Sequence, residues 1–546
     1  MNTNTRQILP AMKTSLVLAA LLSFAHTAVA QQPTSYGYDL NNRVTLVNYP
    51  DGRQATISYD ELGNVLSVIN RNAAPPIIIV GQPLLLTAGS AMPDYAITLG
   101  RTAVIKSFAV KNLPPGLKAN LTAKVNGDGR NPGVIYGTPT TSGSFRVELS
   151  ATTTLGATPP VNLMMHVSNP FSQTVDGYSL AGQFSGILDP SALNSGLGGS
   201  LVIKTTTSGT FTGTLILGAT KYSFSGSFNG TTGACTPITI IRKAPFTTNL
   251  TLALTMDLSA SSPTRGGLTG TLSDGGPPEA VAAFREVWSK PLPASYFADA
   301  KGSVYNAALF LDPAHLNDDH FPQGVSYARI TADQLGKIKL SGKLADGTGI
   351  TGSGIMWPDG QLPLFIPLYS SKGSLVGTLQ LGTGFAEDLV SDNEISGSLD
   401  WKRPAIAGKL FTTGFSTRVN ASGGVYTAPA KGSRVMDLGS AANHAAIVLN
   451  LMKGGLSSTI SANLTLSTAN LVTAVTPNNN SIKITLTPAS GLVAGEFVVG
   501  LRKAKVESLI LPANPLNDSE AYGFFLLPGS TTSDPTLSGF VFIGRP

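Results

Sequence analysis

The sequence predicts an all-β, multidomain chain of Gly-rich antiparallel units, and three observations support this. First, 59 glycines and 36 prolines among 546 residues supply turn formers throughout, while only 12% of residues are charged. The charge-rich surface of helical bundles and coiled coils is therefore missing. Second, short runs rich in Val, Ile, Thr, Phe and Tyr alternate with Gly, Pro and Asn clusters, as strands alternate with turns. Third, the length suits three to five domains of roughly 100–150 residues each. A hydrophobic content of 42% is ample for buried cores. After the first 30 residues no stretch approaches the ~20 unbroken apolar residues of a membrane helix, so no transmembrane helix is expected.

Residues 1–30 read as an export signal. Arg6 and Lys13 form a positive region, Thr14 to Phe24 (TSLVLAALLSF) is a short apolar run, and Ala28-Val29-Ala30 fits the small-x-small cleavage pattern before Gln31. The expected destination is outside the cytoplasm, either secreted or associated with the cell surface. Removing this leader takes away two basic residues and no acid, leaving a nearly neutral chain. Lys402-Arg403 and Arg502-Lys503 are only pairs, so no basic stripe for nucleic acid is expected despite a basic pI. Cys235 is the only cysteine, which excludes an intrachain disulfide framework and any CxxC metal or redox site.

Residues 31–72 carry an internal repeat. Tyr38-Asp39 recurs as Tyr59-Asp60, and Val44 and Val47 recur as Val65 and Val68 at the same offset. Asn41-Asn42 and Leu62-Gly63-Asn64 are turn formers after each Tyr-Asp, so the segment reads as short hairpins. The run YGYDLNNRVTLVNYPDGRQATISYDELGNVLSV resembles the YD repeat of RHS proteins. In that family many repeats wind into an enclosing β shell. Fewer than two full copies stand here, so the resemblance implies only a β cap on the next domain or a small recognition module.

Residues 73–170 read as one β-sandwich. IIIV, YAITL, IKSFAV, GVIYG, SFRVELSA and NLMMHV are short strands between Gly, Pro and Asn turns. Leu113-Pro114-Pro115-Gly116-Leu117, then Gly133-Val134-Ile135-Tyr136-Gly137-Thr138-Pro139, then Ser142-Gly143-Ser144-Phe145, and a final Leu163-x-x-x-Val167, resemble the bacterial Ig-like domain with a cadherin-like fold. That resemblance implies a spacer or binding module without catalytic residues. Asp94 and Asp128 stand alone, so no calcium site is expected, and His166 reads as an ordinary strand residue.

The rest divides into three Gly-punctuated β units, expected at 171–290, 291–405 and 406–546, each a barrel or a sandwich. Pro291, Pro293 and Pro404 suggest the boundaries. Leu-Asp-Pro at 188–190 recurs at 311–313, and Ser-Gly-Thr-Phe-Thr-Gly is echoed by Leu-Ser-Gly-Lys-Leu. A third unit carries SIKITLTPASGLVAGEFVVG, AYGFFLLPGS and SGFVFI. This region is similar to C-terminal β regions of uncharacterised bacterial surface proteins, a likeness that implies no activity.

Candidate chemistry is sparse. Asp312, His315, Asp318, Asp319 and His320 form the one dense group of metal-type ligands and read either as a solvated loop or as a metal site. Gly347-Thr-Gly349-Ile-Thr-Gly352 matches GxGxxG but lacks the strand-before, helix-after context that phosphate binding needs. Asp359, Glu387, Asp388 and Glu394 are carboxylates that distant strands could bring together for glycoside hydrolysis. His444 lacks a nucleophile partner, and Cys235 lies in a GACTP turn. Trp288, Trp357, Tyr369 and Trp401 are candidate ligand-binding aromatics if exposed, and core residues otherwise. No catalytic residue and no cofactor are expected.

The leading expectation is a noncatalytic secreted or cell-surface modular protein for adhesion, scaffolding, or binding of a polysaccharide or surface protein. An extracellular glycan-active or metal-dependent hydrolase is the alternative. An outer-membrane β-barrel is the second, weakened because the chain ends FVFIGRP rather than on an aromatic strand end.

Overall fold

The computed structural model describes residues 34–546 except 51, 72–73, 173, 176–177, 243–245, 260–266, 287–303, 334–335, 358–359, 382–393, 409, 437–443, 513–518 and 532. The leader, Trp288, Pro291, Pro293, Asp359, Glu387 and Asp388 lie outside the described residues. The fold is all-β: the described residues form strands, turns and short 3-10 turns. No helix among them is long and apolar enough to cross a membrane. Two compact units divide the chain, one holding the N-terminal hairpins and most of the two-sheet region that follows, the other holding everything after residue 166.

In the first unit, Ser35–Tyr38, Val44–Asn48, Gln54–Tyr59 and Val65–Arg71 form a four-stranded antiparallel meander. The Tyr-Asp repeat has a physical basis here. Each Asp ends a strand and closes the next turn: Asp39 Oδ1 accepts the amides of Asn41 and Arg43 at 2.9 Å each, and Asp60 Oδ1 accepts that of Asn64 at 2.7 Å. Side chains finish both turns, with Arg43 Nε donating to Asp39 Oδ2 at 2.8 Å and Asn64 Nδ2 to Asp60 Oδ2 at 3.0 Å. Such Asx contacts replace backbone bonds that a tight turn cannot make.

The following strands form a three-stranded sheet (Leu117–Ala119, Val134–Gly137, Met92–Ala96), a five-stranded sheet built around Gly143–Thr153, and a short pair, Ile78–Ile79 with Thr98–Leu99. Gly143–Thr153 alternates buried and open positions over its second half, the pattern of a strand with one buried face. Phe108, Ile135, Val147, Leu149, Leu163 and Met165 are buried. The second glycine of GVIYG is required where it stands: Gly137 has φ +119°, and a Cβ there would lie 2.7 Å from the Gly116 carbonyl oxygen. Asp94 pairs with Arg130 at 3.2 Å, and Asp128 accepts from Tyr136 Oη at 3.2 Å.

The second unit holds three eight-stranded antiparallel sheets of closely similar topology, spanning 182–285, 304–425 and 444–544. Successive strands pair, and the first strand of each sheet also pairs with its eighth: Phe184 with Arg285, Leu309 with Ala421, Leu451 with Val541. Each sheet is thus a nearly closed up-and-down barrel. The ladder is broken between the fourth and fifth strands of the first two barrels, Thr220–Ser227 and Ile238–Ile240, then Gly349–Ile355 and Gln361–Leu368. In the third it is broken one strand earlier, between Val472–Ala474 and Lys483–Thr487.

Apolar side chains fill each barrel. Phe184, Leu201, Ile203, Leu215, Leu250 and Leu252 pack inside the first, Tyr305, Ile330, Leu362, Leu375, Leu399 and Trp401 inside the second, and Leu449, Leu466, Phe497, Phe525 and Val541 inside the third. Thr, Ser and Lys alternate with them on the other face, as in Thr210–Leu217 and Lys337–Lys343. The recurring Leu-Asp-Pro has one structural position: it ends the first strand of the first barrel, Gly182–Leu188, and of the second, Val304–Leu311, with a 3-10 turn after each.

The expected boundary at Pro404 falls inside the second barrel. Phe415–Val425, beyond it, pairs with both Glu394–Arg403 and Val304–Leu311 and closes the sheet. Pro404 marks a corner between the seventh and eighth strands, which is where a residue without an amide donor fits.

The second and third barrels share a buried, largely apolar contact. Ala308, Val325 and Leu511 pack with Phe310, Tyr522 and Phe540, and Tyr327, Ala345, Leu509 and Phe524 form a second cluster. Asn306, fully buried, donates to the carbonyls of Ser490 (3.0 Å) and Ile510 (2.8 Å). Glu507 accepts from Tyr327 Oη at 3.1 Å and pairs with Lys343 at 2.7 Å. The first barrel also touches the second, through Phe284 and Trp357, whose rings are 4.2 Å apart, and through the 195–198 segment against Lys402 and Val376.

Candidate functional site

The 312–320 cluster is engaged in shaping its own loop. Asp312 accepts the Ala314 amide at 2.9 Å and starts the 3-10 turn Pro313–His315. His315 stacks on Phe321 at 3.8 Å. Asp318 accepts the amide of His320 at 3.0 Å and meets its Nδ1 at 2.8 Å, and these contacts hold its carboxyl below the usual range. Buried Gln323 organises the loop: its amide nitrogen donates to the carbonyls of His315 (3.0 Å) and Asp318 (2.8 Å), and its oxygen accepts the Asn317 amide at 2.8 Å. Among the described residues no three His, Cys, Asp or Glu side chains converge as a metal site would require.

Among the described residues the candidate aromatics do not form an exposed platform. Trp357 and Trp401 are 6% and 1% exposed. Trp401 points into the second barrel and packs edge-on against Phe415 at 4.8 Å. Its Nε1 donates to Tyr369 Oη at 3.0 Å, and that hydroxyl donates to Asp346 Oδ2 at 2.8 Å. Arg403 Nε donates to the same carboxylate oxygen at 2.9 Å, with side chains only 6% and 1% exposed in the pair. The Thr348 amide supplies Oδ1 at 2.9 Å. Burial, then the neighbouring Asp346 charge, pushes the Tyr369 phenol far above its ordinary value. The network plugs a barrel end, and sequence reasoning missed its centre because Asp346 sits in LADGTG, which reads as an open turn.

The remaining candidates among the described residues stay apart. Gly347–Gly352 runs from a tight turn, closed by Leu344 N to Thr348 O at 2.8 Å, into the strand Gly349–Ile355, so no helix N-terminus is there to meet a phosphate. Cys235 is buried in the core of the first barrel, and burial raises its thiol. Glu394 and His444 are exposed at the starts of their strands. His166 Nδ1 meets Ser144 Oγ at 2.8 Å across neighbouring strands.

One cleft does collect polar side chains. It has a volume of about 720 Å³ and lies between the outer face of the second barrel and the 189–196 segment of the first. Its floor is set by register. Ser374, Lys402 and Ser416 lie abreast on the strands Gly373–Leu381, Glu394–Arg403 and Phe415–Val425, and so do Val376, Asp400 and Arg418, and Thr378, Ser398 and Asn420. The intervening Leu375, Leu399, Trp401 and Val419 point into the barrel core. Arg418 Nε donates to Asp400 Oδ1 at 3.2 Å, and Lys402 Nζ to the Ser195 carbonyl at 2.8 Å. Ser374 is 1% exposed and its Oγ has no protein partner. The wall sits close because two glycines permit it: a Cβ on Gly196 would lie 2.8 Å from Lys402 Nζ, and one on Gly198 2.9 Å from Val376 Cγ1.

No protein-family model matches this chain, and no curated protein is significantly similar to it.

Proposed function

We propose that this is an exported, noncatalytic modular protein, secreted or held at the cell surface, that binds a glycan or a surface protein through its barrels. The observation that carries this reading is where the polar chemistry lies. The three barrels have apolar interiors, so recognition falls to their outer faces and to the cleft between the first two, where hydroxyl and charged side chains stand on stiff strands. The Tyr-Asp turns and the two-sheet region act in this reading as a YD-type segment and an Ig-like spacer. Repeated Asx closure of the Asp39 and Asp60 turns supports the former, and the close approach of Gly137 to the Gly116 carbonyl supports the latter. Apolar-inside, polar-outside alternation weighs against an outer-membrane barrel, whose lipid-facing exterior is apolar.

The test combines cell fractionation with binding of the purified chain to a panel of polysaccharides and isolated cell-surface proteins, recording released sugar at the same time. Extracellular location with retention on a surface polymer or protein and no release is the expected result. Sugar release, or material confined to the cytoplasm, would refute it.

A further inference from the structure

We infer that the cleft between the first and second barrels is a binding site for a neutral oligosaccharide; the inference deepens the glycan-binding form of the proposed function and rests on it. Three features of the cleft point to this ligand class.

The first is spacing. Neighbouring strands stand about 4.8 Å apart and alternate residues about 6.8 Å apart along a strand, so the floor is a grid of donors and acceptors on the scale of one sugar ring. Its members include Ser374, Thr378, Ser398, Asp400, Lys402 and Arg418. Ser and Thr carry little rotamer freedom, so ordering them against a ligand costs little.

The second is charge. Lys402 and Arg418 are balanced by Asp189 and Asp400 around the same cleft, and Arg418 already engages Asp400 at 3.2 Å. A net-neutral site gives no advantage to a polyanion, whereas the paired guanidinium and carboxylate present both donors and acceptors to vicinal hydroxyls.

The third is an unused polar group. Ser374 lines the cleft, and its buried hydroxyl has no protein partner, an arrangement that costs stability unless something else supplies the hydrogen bond. A volume of about 720 Å³ leaves room for a short oligomer, and it falls within the roughly 300–1,000 Å³ typical of small-molecule sites.

The test uses the full chain and calorimetry with cello-, malto-, manno- and chito-hexaose, with hexagalacturonate as an acidic comparison. At least one neutral hexamer should bind, hexagalacturonate should bind more weakly, and hydrogen exchange should slow in 373–381, 394–403 and 415–425 when the neutral sugar is added. Ser398→Trp fills the grid from the solvent side, and Asp400→Ala with Arg418→Ala removes the charged pair without changing net charge. Each should weaken binding by about tenfold or more, equivalent to ~1.4 kcal/mol, with an unchanged melting temperature. If Ser398→Trp does not fold, the exchange footprint on the unaltered chain decides. Sugar binding undiminished by the variants, or a footprint elsewhere, would overturn this site while leaving a glycan-binding protein standing. Capture of a surface protein with no sugar binding would overturn the site and keep only the broader modular reading, and preference for hexagalacturonate would overturn the ligand class.

Discussion

Replacing Asp346 by alanine should unfold the second barrel far more readily than any single surface change. The carboxylate is 1% exposed and faces Arg403, itself 6% exposed, at 2.9 Å. It also accepts from Tyr369 Oη at 2.8 Å and from the Thr348 amide at 2.9 Å. The other Arg403 donors are committed to the carbonyls of Phe411 (2.6 Å) and Leu410 (3.0 Å), so the guanidinium cannot swing out to water without giving those up. Asp346→Ala therefore leaves a buried cation facing a void, and losing one partner of such a pair costs about 3–5 kcal/mol. Replacing both members, Asp346→Leu with Arg403→Met, removes the charge and should recover most of that loss, because a well-packed apolar pair is often as stable as a buried ion pair. Urea unfolding followed by tryptophan emission is the assay, since Trp401 reports from the same network. A single-variant loss below ~1 kcal/mol, no larger than an ordinary substitution, would refute the reasoning. So would a double variant as unstable as the single one.

Three further outcomes follow from the same structure. Asp39 and Asp60 carry carboxyls held below the ordinary carboxylate range, the first chiefly by the Arg43 amide and the second chiefly by the Asn64 side chain. A depressed folded value means the stabilisation is complete above the unfolded value and is lost as pH falls through the folded one, so amide protection factors in 35–71, taken relative to the intrinsic rate at each pH, should fall below about pH 3.8 before those of the barrels do; equal protection factors at pH 2.5 and pH 6 would contradict this. Asn306→Leu removes two hydrogen bonds to the carbonyls of Ser490 and Ile510, and stranding those acceptors should cost about 1–3 kcal/mol, read as a lower urea midpoint with faster proteolysis between the second and third barrels. Cys235, buried and with a raised thiol, should react with a disulfide reagent only as fast as the first barrel opens; burst labelling of the folded chain would show that the thiol is accessible.

Strands and turns were legible because they are local. Alternation in SIKITLTP and the Tyr-Asp turns name hairpins from a few residues, and the two Leu-Asp-Pro copies mark equivalent strand ends. Barrel closure was not legible, since Phe184 meets Arg285 and Leu309 meets Ala421 across the whole length of a sheet. No local pattern reports such a pairing, and so Pro404 looked like a boundary. The candidate sites failed for the same reason. Trp401 alternates with Asp400 and Lys402, and a one-residue change of register would exchange the faces that bear them. Asp346 and Arg403 are distant in sequence and meet only after the barrel forms.

One long-range feature did leave a readable trace. A strand buried on one face alternates, whereas a strand buried on both loses its polar positions. AALFL in Val304–Leu311, SLIL in Arg502–Leu511, GFFLL in Glu520–Leu527 and FVFI in Leu537–Gly544 break the alternation. These are the strands that bring Ala308, Leu509, Leu511 and Phe524 to the contact between the second and third barrels. In the strand Glu394–Arg403 the alternation survives, with Ser398, Asp400 and Lys402 outside and Leu399 and Trp401 inside. In these strands a barrel's outer face has two uses: apolar runs accompany the contact between the second and third barrels, and polar alternation beside a close-approaching glycine loop accompanies the cleft. Exchanging those patterns tests the rule directly. Ala308→Lys should separate the second and third barrels without altering the cleft, whereas Ser398→Leu should leave the barrels joined and make the cleft floor apolar.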